Sequence, residues 1–226
     1  MKKPIYLLTA IFLSLQPALA ETQQQSFTGM TNLTNKVLGD SSFSGPTTLD
    51  HVKAKTLNVI GPSTFAYVET TSLTVSGPTT FDSLIVSGDA TFTGPVKGNN
   101  GIFKNLTQTG EFKASNVRID QFTQKGNADV SYIEVTGHFD ITGALSAQNS
   151  KFNDLTFTGT EINFENVHAN NINVKNVPSK PQVLTLKGEN NITGNIVFES
   201  GKGVIKKSST AKINGKVEGA VVEDVK

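Results

Sequence analysis

The sequence predicts an all-β chain folded as a parallel β-helix, a β-solenoid built from short repeats. Three observations predict it. Near-copies recur at a fixed step: Gly45-Pro-Thr-Thr-Leu49, Gly61-Pro-Ser-Thr-Phe65 and Gly77-Pro-Thr-Thr-Phe81, and self-similar units of this size favour stacked coils. Apolar residues stand two apart, as in Leu57/Val59 and Leu73/Val75, which marks strands with one buried face. Between Gly45 and Val177 no sustained i, i+3, i+4, i+7 stripe appears, while Thr and Val abound.

The elements follow in order. Residues 1–20 read as a signal peptide: Lys2 and Lys3 precede an apolar run from Ile5 to Leu15, and Ala18-Leu-Ala20 supplies the cleavage signal. That run is short for a membrane span, which needs about 20 residues. Cleavage would leave no transmembrane span and would remove two Lys and no acid, turning the formal charge from +1 to −1. Residues 21–42, rich in Gln, Thr and Asn, read as a flexible N-terminal lead and cap. Residues 43–177 carry the solenoid repeats, with a fourth Gly94-Pro95 corner and the template Phe-x-x-Leu-x-φ-x-Gly at Phe81–Gly88, Phe103–Gly110 and Phe152–Gly159. Gly and Asn close each run as turn residues that accept positive φ. Pro178 and Pro181 place a linker or bend at 178–182. Residues 183–226 form a Lys-richer C-terminal β segment or cap.

From Phe152 to Val177 the apolar residues fall at Phe152, Phe157, Ile162, Val167, Ile172 and Val177, and Asn166, Asn171 and Asn176 precede the last three. This stretch resembles the pentapeptide-repeat family. The resemblance implies a right-handed β-helix with four-sided coils and says little of function. Ile213-Asn-Gly-Lys-Val217-Glu-Gly219 is similar to the Gly-punctuated turns of bactofilins, which are polymer-forming β-helices. The alternative architecture is an elongated trimeric β-fibre, in which three chains supply the strands.

The composition excludes several chemistries. There is no Cys and no Trp, and charged residues make up 17% of the chain. Thiolate metal sites, disulfides and cysteine nucleophiles are therefore absent, and the balanced charge does not suit nucleic acid. His51, His138 and His168 lie far apart and in no ligand spacing. No G-x-S-x-G elbow occurs. Arg118-Ile-Asp120 reads as a surface ion pair, and Asp50, Asp82, Asp89, Glu111, Glu134 and Asp140 as solvated acids. Gly98-Asn-Asn-Gly101 lacks the Asp of a calcium turn, and Lys202, Lys206 and Lys207 read as a solvated basic turn. No catalytic, cofactor or metal residue is assigned. The expectation is an exported, non-catalytic protein, periplasmic, surface-bound or extracellular, with a structural, adhesive or surface-binding role. Its partner would be a cell-surface polymer or protein, or another copy met through the solenoid ends. The alternative is a carbohydrate-active enzyme or polysaccharide-binding protein on a β-helix scaffold, which would need paired carboxylates in a groove.

Overall fold

The computed structural model describes residues 24–225. The leader expected at 1–20 lies outside the described residues. All strands run parallel and stack into one β-solenoid of about 13 turns, a rod roughly 60 Å long at ~4.8 Å per coil. No helix occurs among the described residues.

One coil explains the rest. Gly45-Pro46 makes the first corner, with φ 126° at Gly45. Thr47 and Leu49 point inward from the first side. His51 turns the second corner in the left-handed region, with φ 52°. Val52 and Ala54 point inward from the second side, and Leu57 and Val59 from the third, after a bend at Lys55-Thr56. Three sides thus each contribute two inward residues, set by the period of two within a strand, with a gap of three at the two bends and of four across the Gly-Pro corner, from Val59 to Ser63. Backbone bonds link coil to coil even at the corner: Gly45 N donates to Ile60 O at 2.8 Å and Thr47 N to Pro62 O at 2.9 Å. Pro46 sits between these donors, so its missing N–H costs no bond.

The register step is 16 residues between the strands Thr31–Ser44, Thr47–Ile60 and Ser63–Ser76. It lengthens by one where Thr79–Thr93 and Ala128–Thr142 each carry a β-bulge, near Gly88 and Gly137. Gly94 therefore follows Gly77 by 17 residues rather than 16. At Gly88 a Cβ would lie 2.6 Å from the Thr71 carbonyl oxygen, which leaves glycine as the residue that fits the bulge.

Several expectations are sharpened. The five-residue spacing from Phe152 to Ile172 is the length of one side. Three sides close a coil there, and the step is 17 residues from Leu155 to Ile172. The four-sided coil that the pentapeptide resemblance implied is not formed. The Phe-x-x-Leu template aligns different places in the coil. Phe81, Leu84 and Val86 belong to the first and second sides, whereas Phe103 and Leu106 belong to the second and third, because Val86 rather than Phe81 pairs with Phe103. The N-terminal boundary also moves. Gln25–Thr28 already pairs with Ser41–Ser44, and Phe27 stacks on Phe43 with ring centroids 4.8 Å apart, so coils begin within the segment expected as a flexible lead. Residues 175–181 lie outside the strands as an excursion, yet Ile172 pairs with Ile196 and Glu161 with Val183 across it. The segment beyond the excursion continues the same stack.

The core is a set of inward ladders. Phe122 lies flat against Phe139 at 4.6 Å and meets Phe112 edge-on at 5.2 Å. Volume is balanced between neighbours. Gly98 and Gly101 occupy inward positions, and the rings of Phe81 and Phe103 fill the space that their side chains would take.

The Gly-corner carbonyls have two kinds of donor. In early coils an inward hydroxyl two residues on serves: Thr47 Oγ1 donates to Gly45 O at 3.0 Å. Where that row turns apolar, at Val96 and Phe112, a buried glutamine from the third side takes over. Gln108 Nε2 donates to Gly94 O at 2.9 Å, and Gln124 Nε2 to Gly110 O at 2.7 Å. Replacing Gln108 with leucine is expected to cost about 1–3 kcal/mol by orphaning the Gly94 carbonyl, while Glu111 O keeps Val96 N as its donor. Adding Val96→Thr, which restores a hydroxyl at the Thr47 position, is expected to recover part of that loss. Urea denaturation of the four-member mutant cycle reads the coupling.

Candidate functional site

The sequence-derived candidates disperse over the rod. His51 lies at the second corner, where Nδ1 contacts Asp50 Oδ1 at 2.7 Å and the ring stacks on Tyr67 at 4.6 Å. His138 stands at the bend that leads into the third side, and His168 projects from the second, where it follows Lys151 in the row. No group of three or more metal-ligating side chains forms among the described residues.

His138 has the neighbours that a nucleophilic site would need, in the wrong geometry. Its Nε2 lies 3.1 Å from Asp140 Oδ1 and 3.2 Å from Thr156 Oγ1. A catalytic triad sets the acid on one ring nitrogen and the nucleophile on the other. Here both partners meet the same nitrogen, so no proton relay runs from Thr156 to Asp140.

Arg118 does not pair with Asp120, as the sequence suggested. Both project from the second side, but Arg118 reaches one coil onward to Glu134, at 3.3 Å. Asp120 instead accepts from Thr136 Oγ1 at 3.0 Å. Stacking brings the residue one coil away to about 4.8 Å, closer than the i+2 neighbour at roughly 6.7 Å. The basic turn also divides. Lys207 pairs with Asp224 at 2.8 Å, while Lys206 points the opposite way on the same strand.

Exposed ion pairs tune a few groups. The hydrogen bond from Lys175, at 2.6 Å, holds the Glu199 carboxyl below its ordinary 4.5. Hydrogen bonds from Thr56 and then Lys55 hold Asp40 low. At the end of the corner groove the bond to Glu111 raises Lys113. A lowered carboxylate stabilises the fold above its unfolded value and loses that increment as pH falls through its folded value. Thermal midpoints between about pH 5 and pH 3 should therefore fall less for Glu199→Gln than for the parent protein.

Two extended surfaces remain. The first is a shallow groove along the Gly-Pro corner, floored by Pro46, Pro62, Pro78 and Pro95 and edged by Thr48 and Thr64. The second is the third side, a plane bearing two rows of hydroxyls. Thr74, Thr91, Thr107 and Thr123 stand in register in one row, and Ser76, Thr93 and Thr109 in the other. The strand geometry spaces these groups ~4.8 Å along the rod and ~6.7 Å across it. The sequence carries the row members as Thr-x-Thr at 91–93 and 107–109, but their alignment depends on where each bulge falls. No family model, curated protein or solved structure matches the chain.

Proposed function

We propose that the protein is an exported, non-catalytic rod whose third side holds a repeating, hydroxyl-rich polymer of the cell surface, a polysaccharide. The observation that carries this reading is the in-register double row at Thr74–Ser76, Thr91–Thr93 and Thr107–Thr109. A periodic plane of short hydroxyls binds a periodic partner through many weak contacts added along its length, which is avidity without a deep pocket. Each β-branched side chain is restricted at χ1 by its strand, so little entropy is lost on binding. The dispersal of His51, His138 and His168 over different parts of the coil supports a binding role over turnover. The Lys2-Lys3 start and the Ala18-Leu-Ala20 triplet support export.

The test is co-sedimentation with a panel of insoluble polysaccharides, with soluble sugar release monitored. The expected result is retention on at least one polymer, no released sugar, and at least tenfold weaker retention after Thr91→Lys with Thr107→Lys. Release of sugar, or retention indifferent to that double substitution, overturns the reading. Cell fractionation with protease accessibility tests export, which a cytosolic location would overturn.

A further inference from the structure

The second side carries an apolar centre flanked by ordered charges. One outward row runs Lys53, Glu69, Ile85, Ile102, Arg118, Glu134, each paired in register with the next. Ile85 and Ile102 are 39% and 50% exposed. Val37 begins the same row, and Tyr67 and Tyr132 stand at the corner leading into this side, all more than half exposed. Apart from Ile60 and residues at the two ends of the rod, these are the large apolar side chains most open to solvent.

The charges read as a palindrome of opposite sign. From the isoleucines outward, one direction gives Glu69 then Lys53, and the other gives Arg118 then Glu134. Within the chain these already form two ion pairs, Lys53 to Glu69 at 2.9 Å and Arg118 to Glu134 at 3.3 Å. A two-fold axis along the strand direction, passing between Ile85 and Ile102, lays this row antiparallel on itself. It places Ile85 against Ile102 of the second copy, Glu69 against Arg118, and Lys53 against Glu134. These four charges each face one of opposite sign, and at the two ends of the row Lys151 falls against Val37. A shift of one coil toward Ile102 sets Glu69 against Glu134. A shift toward Ile85 sets Lys53 against Arg118. The charges therefore select one register and exclude its neighbours, which is how specificity is built into an isologous contact.

We infer that the second side is a self-docking surface, on which a second copy of this chain lies antiparallel about the Ile85–Ile102 centre. The row from Val37 to Lys151 crosses eight coils, roughly 38 Å by ~15 Å, or about 1,100 Å² buried over both partners. That is the small end of specific interfaces, so the dimer forms reversibly in a micromolar range. The N-terminal end of the rod is less suited to pairing. There Lys36 takes an inward row position on the coil before Val52 and is exposed, an inward-facing charge of the kind that blunts an open strand edge.

This inference goes beyond the polymer-binding reading and does not depend on it, because the second and third sides are different surfaces. Sedimentation equilibrium of the purified protein, from about 1 to 100 µM, is expected to show the mass rising from one chain to two. Glu69→Lys sets a cation against Arg118 of the second copy and is expected to weaken the dimer at least tenfold. Reversing all four charges, Lys53→Glu with Glu69→Lys, Arg118→Glu and Glu134→Lys, is expected to restore it. The reversed chain should dimerise with itself and fail to mix with the parent, since the mixed pair faces like charges throughout. Unchanged circular dichroism establishes that each variant folds, and Ile102→Lys is a second disrupting variant. A single-chain mass throughout the range overturns the inference. So does a dimer indifferent to both Glu69→Lys and Ile102→Lys, or free mixing of parent and reversed chains.

Discussion

Phe122→Ala is expected to destabilise the fold by about 3–5 kcal/mol, among the largest effects of any single side-chain truncation in the rod. Phe122 is buried at the middle of the stack, parallel to Phe139 at 4.6 Å and edge-on to Phe112 at 5.2 Å. Removing its ring takes contacts from Phe112 in its own coil and opens the inward ladder between Leu106 and Phe139, which stand in register with it on the coils to either side. In a solenoid each coil is stabilised by its nearest neighbours, so the loss is local in place and global in effect. The coils before Phe112 and those after Phe157 keep their own ladders but lose the junction between them. Hydrogen exchange should then show protection falling first around 112–142, with protection near Leu57 and Leu184 falling less. Urea denaturation should show a lower midpoint, and a broadened transition if the two halves separate. A loss below ~1 kcal/mol would mean that the site collapses around the void, and would contradict the ladder account.

How far this architecture was legible in the sequence follows from its two periods. The Gly-Pro corners at 45, 61, 77 and 94 announced the coil, because glycine followed by proline is a strong local signal with a fixed mechanical reason. The step within a coil was harder to read. Every side has the same pattern of two inward residues and a bend, so a match such as Phe81–Gly88 to Phe103–Gly110 looks like a coil repeat while slipping by one side. Only hydrogen-bond register distinguishes them. The second corner was hidden for a related reason. It is held at positive φ by Asn35, Asn100, Asn116, Asn149 and Asn166, but equally by His51, Tyr67, Ser83 and Tyr132, so asparagine marks only part of the row. The stacked carbonyl bonds make that conformation tolerable to side chains that rarely adopt it alone. Surface relationships were the least legible. Arg118 meets Glu134 rather than Asp120, and the charge palindrome of the second side appears only once residues 16 or 17 apart are known to be neighbours.

The corner glycines give the sharpest test of the stacking itself. Gly61 has φ 132°, and a Cβ there would lie 2.7 Å from the Gly45 carbonyl oxygen. Both facts oppose a side chain. The conformation costs a non-glycine residue about 1–3 kcal/mol, and the oxygen belongs to backbone that is fixed by the coil below. Gly29 occupies the same corner at the first rung, with φ 90° and nothing within 4 Å of its Cβ position. Gly29→Ala therefore bears the conformational cost alone, whereas Gly61→Ala must also push two coils apart. The expected losses are about 1–2 kcal/mol for Gly29→Ala and about 3 kcal/mol or more for Gly61→Ala. Chemical denaturation of the two variants measures the difference, which is the contribution of close coil-on-coil approach at the corner. Equal losses would show that backbone conformation alone selects glycine here, and that the coils have room to separate. A larger loss at Gly61 would show why the corner admits no Cβ wherever another coil lies beneath it.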